Sequence, residues 1–556
     1  MPDHDITPPS APSAPSVPPR RRLRAGKVPL LAGVALALAP VAIPTAWSAS
    51  RSWVPNTAAA SAAAIAPTRD CATLAAVDLT GLPDAPSRVL SAAAVTANGT
   101  TYCDVKGYTA PQTQFEVKLP TATWQGQYVQ IGCGGFCGDV PTSGASPAPA
   151  LSTGCQPVTS GALVLASDDE GHVGASRLDG LWGKDDPELR TVFGYSSEHS
   201  LAIVAKALIH GYYGQAPTYS YFDGCSDGGR EALMEAQRYP ADFNGILAGA
   251  PALDATDFAG MLSAWVYRSD TDAAGHQILG VDKLPALHAA VLKACAGPDG
   301  LIADPRTCSF EPASVQCPAG TDAASCLTPS EVTVVRKFYT GPQDQAGRNL
   351  YPGGLPYGSE LGWAGWDISP TGNALATNAA QFAVNYLSYL TGNDGSTAAP
   401  VNLSDFPFTD AEYAKLQRDA RVNNATDPDL AAFQRHGGKI ILYHGWADQA
   451  IPPFGTAAYY RAVADTTKNY ASFSRLYMIP AQYHCLGGGD PQATGDLLTP
   501  LMTWVQGGAA PSAVTFQTVK PAVGQPASIT VSPFDPFQAG SGTGYNSDYH
   551  WIGRFH

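Results

Sequence analysis

The ten residues Tyr221-Phe-Asp-Gly-Cys-Ser-Asp-Gly-Gly-Arg230 constrain this chain more than any other stretch. They centre Ser226 in a Gly-x-Ser-x-Gly pattern, with a cysteine directly before the serine. The flanks have the form this pattern needs. Thr218–Asp223 reads as a short aromatic strand, and Glu231–Tyr239 reads as a helix stopped by Pro240. A serine on so sharp a strand-to-helix turn is lifted clear of the sheet, above a helix N-terminus. The glycines allow the tight backbone and the close approach of neighbouring segments. The same pattern arises by chance in glycine-rich turns; the strand and helix around it favour a nucleophile.

A serine hydroxyl reacts only when a histidine takes its proton, and a carboxylate must hold that histidine in the right tautomer. In α/β-hydrolases these groups follow the serine in the order acid, then histidine. Lys439-Ile-Ile-Leu-Tyr443 reads as a buried parallel strand, followed by His444-Gly-Trp-Ala-Asp448. Asp448 is thereby set just past a strand's C-terminal end, where open α/β sheets build their sites. Arg475-Leu-Tyr-Met-Ile479 is the next apolar run, and Pro480-Ala-Gln-Tyr-His484 follows it. Asp448 as a loop cap and His484 as a surface histidine are each plausible alone. All three at strand ends, in order, favour a triad. Oxyanion donors are expected from the Asp227 N–H and from the turn Gly132-Cys-Gly-Gly-Phe136 after the strand Tyr128–Ile131. Cys133 or Gly134 would supply the second donor.

The formal net charge of −14 argues against nucleic acid or an anionic membrane as partner. Residues 1–48 read as a Pro/Ser-rich lead and a secretory signal. A basic Arg20–Lys27 region precedes the apolar stretch Val28–Thr45, and an Ala-x-Ser cleavage pattern ends at Ser48. An uncleaved anchor is the rival, and the paired arginines leave the export route open. No later segment is apolar for long enough to span a membrane. The eleven cysteines all lie beyond this signal and fit an oxidising compartment. Their spacing offers the local pairs Cys71–Cys103, Cys295–Cys308 and Cys317–Cys326. The pairing of Cys133, Cys137 and Cys155 stays open. Zinc-type cysteine patterns do not occur.

The alternation of strands and helices runs to about residue 254, stops over 255–430, and resumes over 431–556. An insertion placed between nucleophile and acid reads as a lid over the C-terminal strand edge. The fold class is thus α/β, an α/β-hydrolase fold with a large lid domain.

The chain resembles the tannase and feruloyl esterase family, which includes hydrolases of mono(2-hydroxyethyl) terephthalate. The resemblance rests on residues 221–230, Ala236-Gln-Arg-Tyr-Pro240, Ile441-Leu-Tyr-His-Gly445 with Asp448, Tyr483-His-Cys485 and Tyr212–Pro217, and spans about residues 70–510. It implies Ser226, Asp448 and His484 as the triad, hydrolysis of aromatic-acid esters, and a disulfide between Cys225 and Cys485. It also implies a calcium loop. Here that loop, Cys295–Cys308, is shortened, and only Asp299 and the Leu301 carbonyl match ligand positions, too few for a cation wanting six or more oxygens. No cofactor is required by this chemistry.

The expected protein is a secreted serine esterase acting on small aromatic esters such as ferulates or gallates through an acyl-enzyme. The alternatives are a terephthalate half-ester hydrolase, a serine peptidase with a lid, and a non-catalytic binding module. From Asn349 through Tyr413 there is no lysine or arginine, while ten aromatic residues occur. Lid core accounts for some of them. The remainder, lining a pocket, would favour neutral phenolic esters over half-esters with a free acid.

Overall fold

Runs of β-branched and aromatic residues build nine strands that form one sheet. The structure is a computed structural model that describes residues 63–143, 155–391, 400–538 and 540. The secretory-signal reading of residues 1–48 lies outside them.

Three antiparallel strands, β1 (Ser87–Ala97), β2 (Thr100–Thr109) and β3 (Thr113–Pro120), form one side. β3 then pairs antiparallel with β5 (Leu163–Asp168). From β5 onward all pairings are parallel, through β4 (Gln127–Ile131), β6 (Tyr219–Cys225), β7 (Gly245–Gly249), β8 (Lys439–Gly445) and β9 (Ser474–Ile479). This is the α/β-hydrolase arrangement.

The parallel strands are apolar at nearly every position because both faces are covered. Phe222, Ile246, Ile440, Leu442 and Leu476 enter one core with the helix Ser197–Tyr213. Their neighbours Tyr221, Leu247, Ile441, Tyr443 and Tyr477 enter another, with the helix Leu498–Val505. The second core also takes side chains from a small C-terminal sheet. Its strands are β10 (Gln492–Thr494), β11 (Val514–Val519) and β12 (Ser528–Val531).

Between β7 and β8 the described chain adds no strand to the sheet. Short helices and turns fill this insertion and build their own apolar cluster around Leu287, Val335, Phe338 and Trp363. A further cluster joins its Phe258, Phe382 and Tyr386 to Phe136 and Phe193 of the preceding part. Most of the ten aromatics of residues 349–413 are used this way: Tyr351, Tyr357, Trp363, Phe382, Tyr386 and Phe406 are all buried. No described helix is long and apolar enough to cross a membrane.

Candidate active site

Ser226 is the single residue between β6 and the helix Asp227–Arg238, and its backbone is held at φ 67° and ψ −119°. A non-glycine residue pays for such a conformation in strain, and it persists because the surroundings over-determine it. The Ser226 N–H donates to the Gly249 carbonyl at 2.9 Å, and its carbonyl accepts the Ala252 N–H at 2.9 Å. A Cβ on Gly224 would stand 2.3 Å from the Gly228 carbonyl oxygen, so this turn excludes any side chain there. The helix starts at Asp227, earlier than its apolar pattern announces, because the two glycines form its first turn. Arg230, fully buried, anchors that turn. Its Nε donates to Asp227 Oδ1 at 2.6 Å, and its Nη groups donate to the carbonyls of Gly194 and Phe193. An acid at a helix N-terminus is favoured by the dipole, and a bidentate guanidinium fixes its direction.

Asp448 follows β8 and is wholly buried. Its Oδ1 accepts the N–H groups of Ala450 and Ile451, both at 2.9 Å. Its Oδ2 faces two histidines, with His484 Nδ1 at 2.8 Å and His444 Nε2 at 3.1 Å. Burial pushes this carboxyl up, but the His484 charge and the hydrogen bonds of both histidines outweigh it and hold Asp448 below the usual carboxylate range. With Nδ1 donating to Asp448, the free lone pair of neutral His484 is on Nε2.

His484 reaches this place from the loop after β9, and a covalent link secures it. Cys225 and Cys485 are bonded, with Cα atoms 6.0 Å apart across a sequence separation of 260. The residue before Ser226 is thus tied to the residue after His484. Closing so long a loop is worth about 5 kcal/mol in the chain-entropy picture. The pairs Cys71–Cys103, Cys295–Cys308 and Cys317–Cys326 also form. Cys133 bonds Cys137 within the glycine-rich turn, which leaves Cys155 as a buried thiol.

Ser226 and His484 line one cleft of about 560 Å³, together with Gly132–Gly135, Arg177, Trp366 and Phe382. The turn after β4 lies beside the elbow, and the Gly228 N–H donates to the Cys133 carbonyl at 3.0 Å. Of its two expected oxyanion donors, Cys133 is corrected. Its N–H points away from the cleft to the buried Glu231 carboxylate, at 3.2 Å. Gly134, the other of the pair, lines the cleft.

The calcium expectation does not fit the loop. The Asp299 carboxylate caps the Leu301 N–H at 3.1 Å, and the Leu301 carbonyl accepts the Gly297 N–H at 2.9 Å. The remaining acid, Asp304, is gripped by Arg306, with Nη2 to Oδ2 at 2.7 Å.

Sequence reasoning passed over three residues of this site. His444 was read only as part of a post-strand motif, although the histidine four positions before an acid is a usable signal. Glu231 and Arg177 reach the site through space and leave no local pattern.

These elements match known proteins over most of their length. The Tannase and feruloyl esterase family model covers residues 94–536. An uncharacterised esterase of Xanthomonas campestris pv. campestris is 31% identical over 83% of this chain and 84% of its own. A mono(2-hydroxyethyl) terephthalate hydrolase of Piscinibacter sakaiensis is also 31% identical, over 79% of this chain and 81% of its own. Among solved structures, feruloyl esterase B from Aspergillus oryzae superposes with a TM-score of 0.68 at 24% identity, over 81% of this chain and 92% of that one. The chain belongs to the tannase and feruloyl esterase family, a family of carboxylic ester hydrolases.

Proposed function

We propose that this protein is a secreted serine esterase that cleaves esters of aromatic acids through an acyl-enzyme. One observation carries the reading: strained Ser226 opens onto the same cleft as a histidine whose Nδ1 is held by a buried carboxylate. Ser226 Oγ attacks the ester carbonyl as His484 Nε2 takes its proton. The developing oxyanion is met by the N–H groups of Asp227 and Gly134. His484, now an imidazolium steadied by Asp448, returns the proton to the departing alcohol. Water then repeats the sequence and frees the acid. The inserted segment acts as a lid in this reading, since its Trp366 and Phe382 supply flat apolar walls. The five disulfides fit an extracellular setting.

The test is a panel of methyl ferulate, methyl gallate and a peptide of mixed sequence, run beside labelling with a fluorophosphonate. Ester turnover with the label on Ser226 is the expected result. Peptide cleavage without ester cleavage would make the protein a peptidase, and no label with no turnover would leave a binding module.

Arg177 favours a second reading, an aromatic ester bearing a free carboxylate. The neutral-ester preference rested on the lack of a cation in residues 349–413, yet Arg177 enters the cleft from outside that stretch. Among the described residues it is the one Lys or Arg lining this cleft. Asp139 grips Nε and Nη2 at 2.9 and 2.8 Å, which orients the guanidinium while leaving Nη1 open. Arg177→Gln is expected to lower kcat/KM for monomethyl terephthalate about tenfold and for dimethyl terephthalate less than about twofold. Equal losses on both esters would remove the carboxylate reading.

A further inference from the structure

Away from the reacting groups, on the helix Leu284–Cys295, His288 is only 5% exposed. Its Nδ1 stands 2.6 Å from Glu360 Oε2, and its Nε2 stands 3.3 Å from Asp490 Oδ2. Both neighbours are carboxylate oxygens. A neutral imidazole has one N–H and satisfies one of them; holding both takes the imidazolium. Glu360 is itself fixed, because its Oε1 accepts the Tyr339 O–H and the Gly358 N–H, each at 2.9 Å. Asp490 Oδ1 accepts from Gln525 Nε2 at 2.8 Å.

The two carboxylates sit on segments that lead to two cleft residues, Trp366 and His484. Glu360 opens the turn Glu360–Trp363, which leads into Trp366. Asp490 closes the loop that carries His484: its N–H donates to the Ala481 carbonyl at 3.1 Å, and the Tyr483 N–H donates to the Gly488 carbonyl at 3.1 Å. Trp366 and His484 face each other with ring centroids 5.8 Å apart.

We propose that His288 is a positioning residue whose imidazolium clamps the Glu360–Trp366 segment to the histidine loop and so sets the gap between Trp366 and His484. The proposal rests on the serine-esterase reading for its catalytic consequence alone. The titratable groups facing His288 are Glu360, Tyr339 and Tyr357 from the insertion, and Asp490 and Tyr483 from the histidine loop. Arg306 stacks on Trp446 of the same small cavity but directs its charge at Asp304. Burial works against the His288 charge, and the Glu360 and Asp490 carboxylates overcome it, holding this histidine above its ordinary value. The clamp therefore holds below that raised value and is lost as pH rises through it.

The experiment compares wild type, Asp490→Asn and His288→Gln from pH 6 to 10 on methyl cinnamate, which has no titrating group. Asparagine in place of Asp490 donates its amide N–H to a neutral His288 Nε2, restoring the clamp without charge. Wild-type kcat/KM is expected to fall about fivefold on the alkaline side, mainly through KM. Asp490→Asn should hold its neutral value through the alkaline range, and His288→Gln should lie below wild type at neutral pH without the alkaline fall. The same alkaline fall in Asp490→Asn, or wild-type behaviour of His288→Gln, would overturn the proposal. Amide exchange across residues 482–490 reads the clamp without any turnover. Extra alkaline exchange in wild type but not in Asp490→Asn supports it even if no ester is hydrolysed or His288→Gln fails to fold. Equal exchange in the two proteins refutes it.

Discussion

Ser226→Ala is expected to lower kcat by roughly 10⁴-fold or more while leaving the melting temperature within a few degrees of wild type. The hydroxyl is the group that would form the acyl bond, and what remains, the oxyanion donors and the cleft walls, gives only residual catalysis. The fold survives because the elbow is held by main-chain bonds. The N–H and carbonyl of residue 226 bond Gly249 and Ala252, and the Asp227–Arg230 pair does not touch the serine Oγ. Alanine also avoids the β-branching that a positive φ opposes. Steady-state kinetics with a methyl ester, beside a thermal melt, provides the check. Retention of a tenth of the activity would end the nucleophile assignment.

Asp448→Asn is expected to cost about 10³- to 10⁴-fold in kcat, by a different route. Oδ1 keeps its two backbone donors, so the asparagine amide nitrogen must replace Oδ2. It then points an N–H at two ring nitrogens that were themselves donors. His444 retains the Ile451 carbonyl, 2.8 Å from its Nε2. His484 has no such substitute at Nδ1, so it turns to the tautomer protonated on Nε2. That tautomer has no lone pair for the proton of Ser226. A loss in kcat with little change in KM is the expected signature. An equal loss in Ser226 labelling by a fluorophosphonate, with the fold unchanged, would tie the defect to proton transfer; unimpaired labelling would contradict the mechanism.

The layout of the sheet was legible because it is written in local patterns. The apolar runs at Tyr128–Ile131, Lys439–Tyr443 and Arg475–Ile479 are strands, each within about two residues of its reading. The elbow helix was placed too late because two glycines and an acid look like a turn. They form a first helical turn here, since Arg230 binds Asp227 and the dipole favours the acid. The C-terminal strands β10–β12 were missed because they are short, and their alternation is brief.

By itself, the sequence determined that a serine, an aspartate and a histidine stand in that order at the C-terminal ends of parallel strands. Strand period, turn chemistry and helix stops act over a few residues, so they can be read without knowing what lies across the molecule. The tertiary structure alone decided which side chains share the space around them. It turned the Cys133 N–H onto Glu231 and away from the cleft, and it bonded Cys133 to Cys137. It chose Trp366 and Phe382 from ten aromatics as cleft walls. It brought Arg177 in from outside the insertion, and it set His288 between two carboxylates. Each of these depends on segments far apart in the chain meeting at a few ångströms. Packing of two independently patterned surfaces fixes such distances, and neither surface alone records its partner.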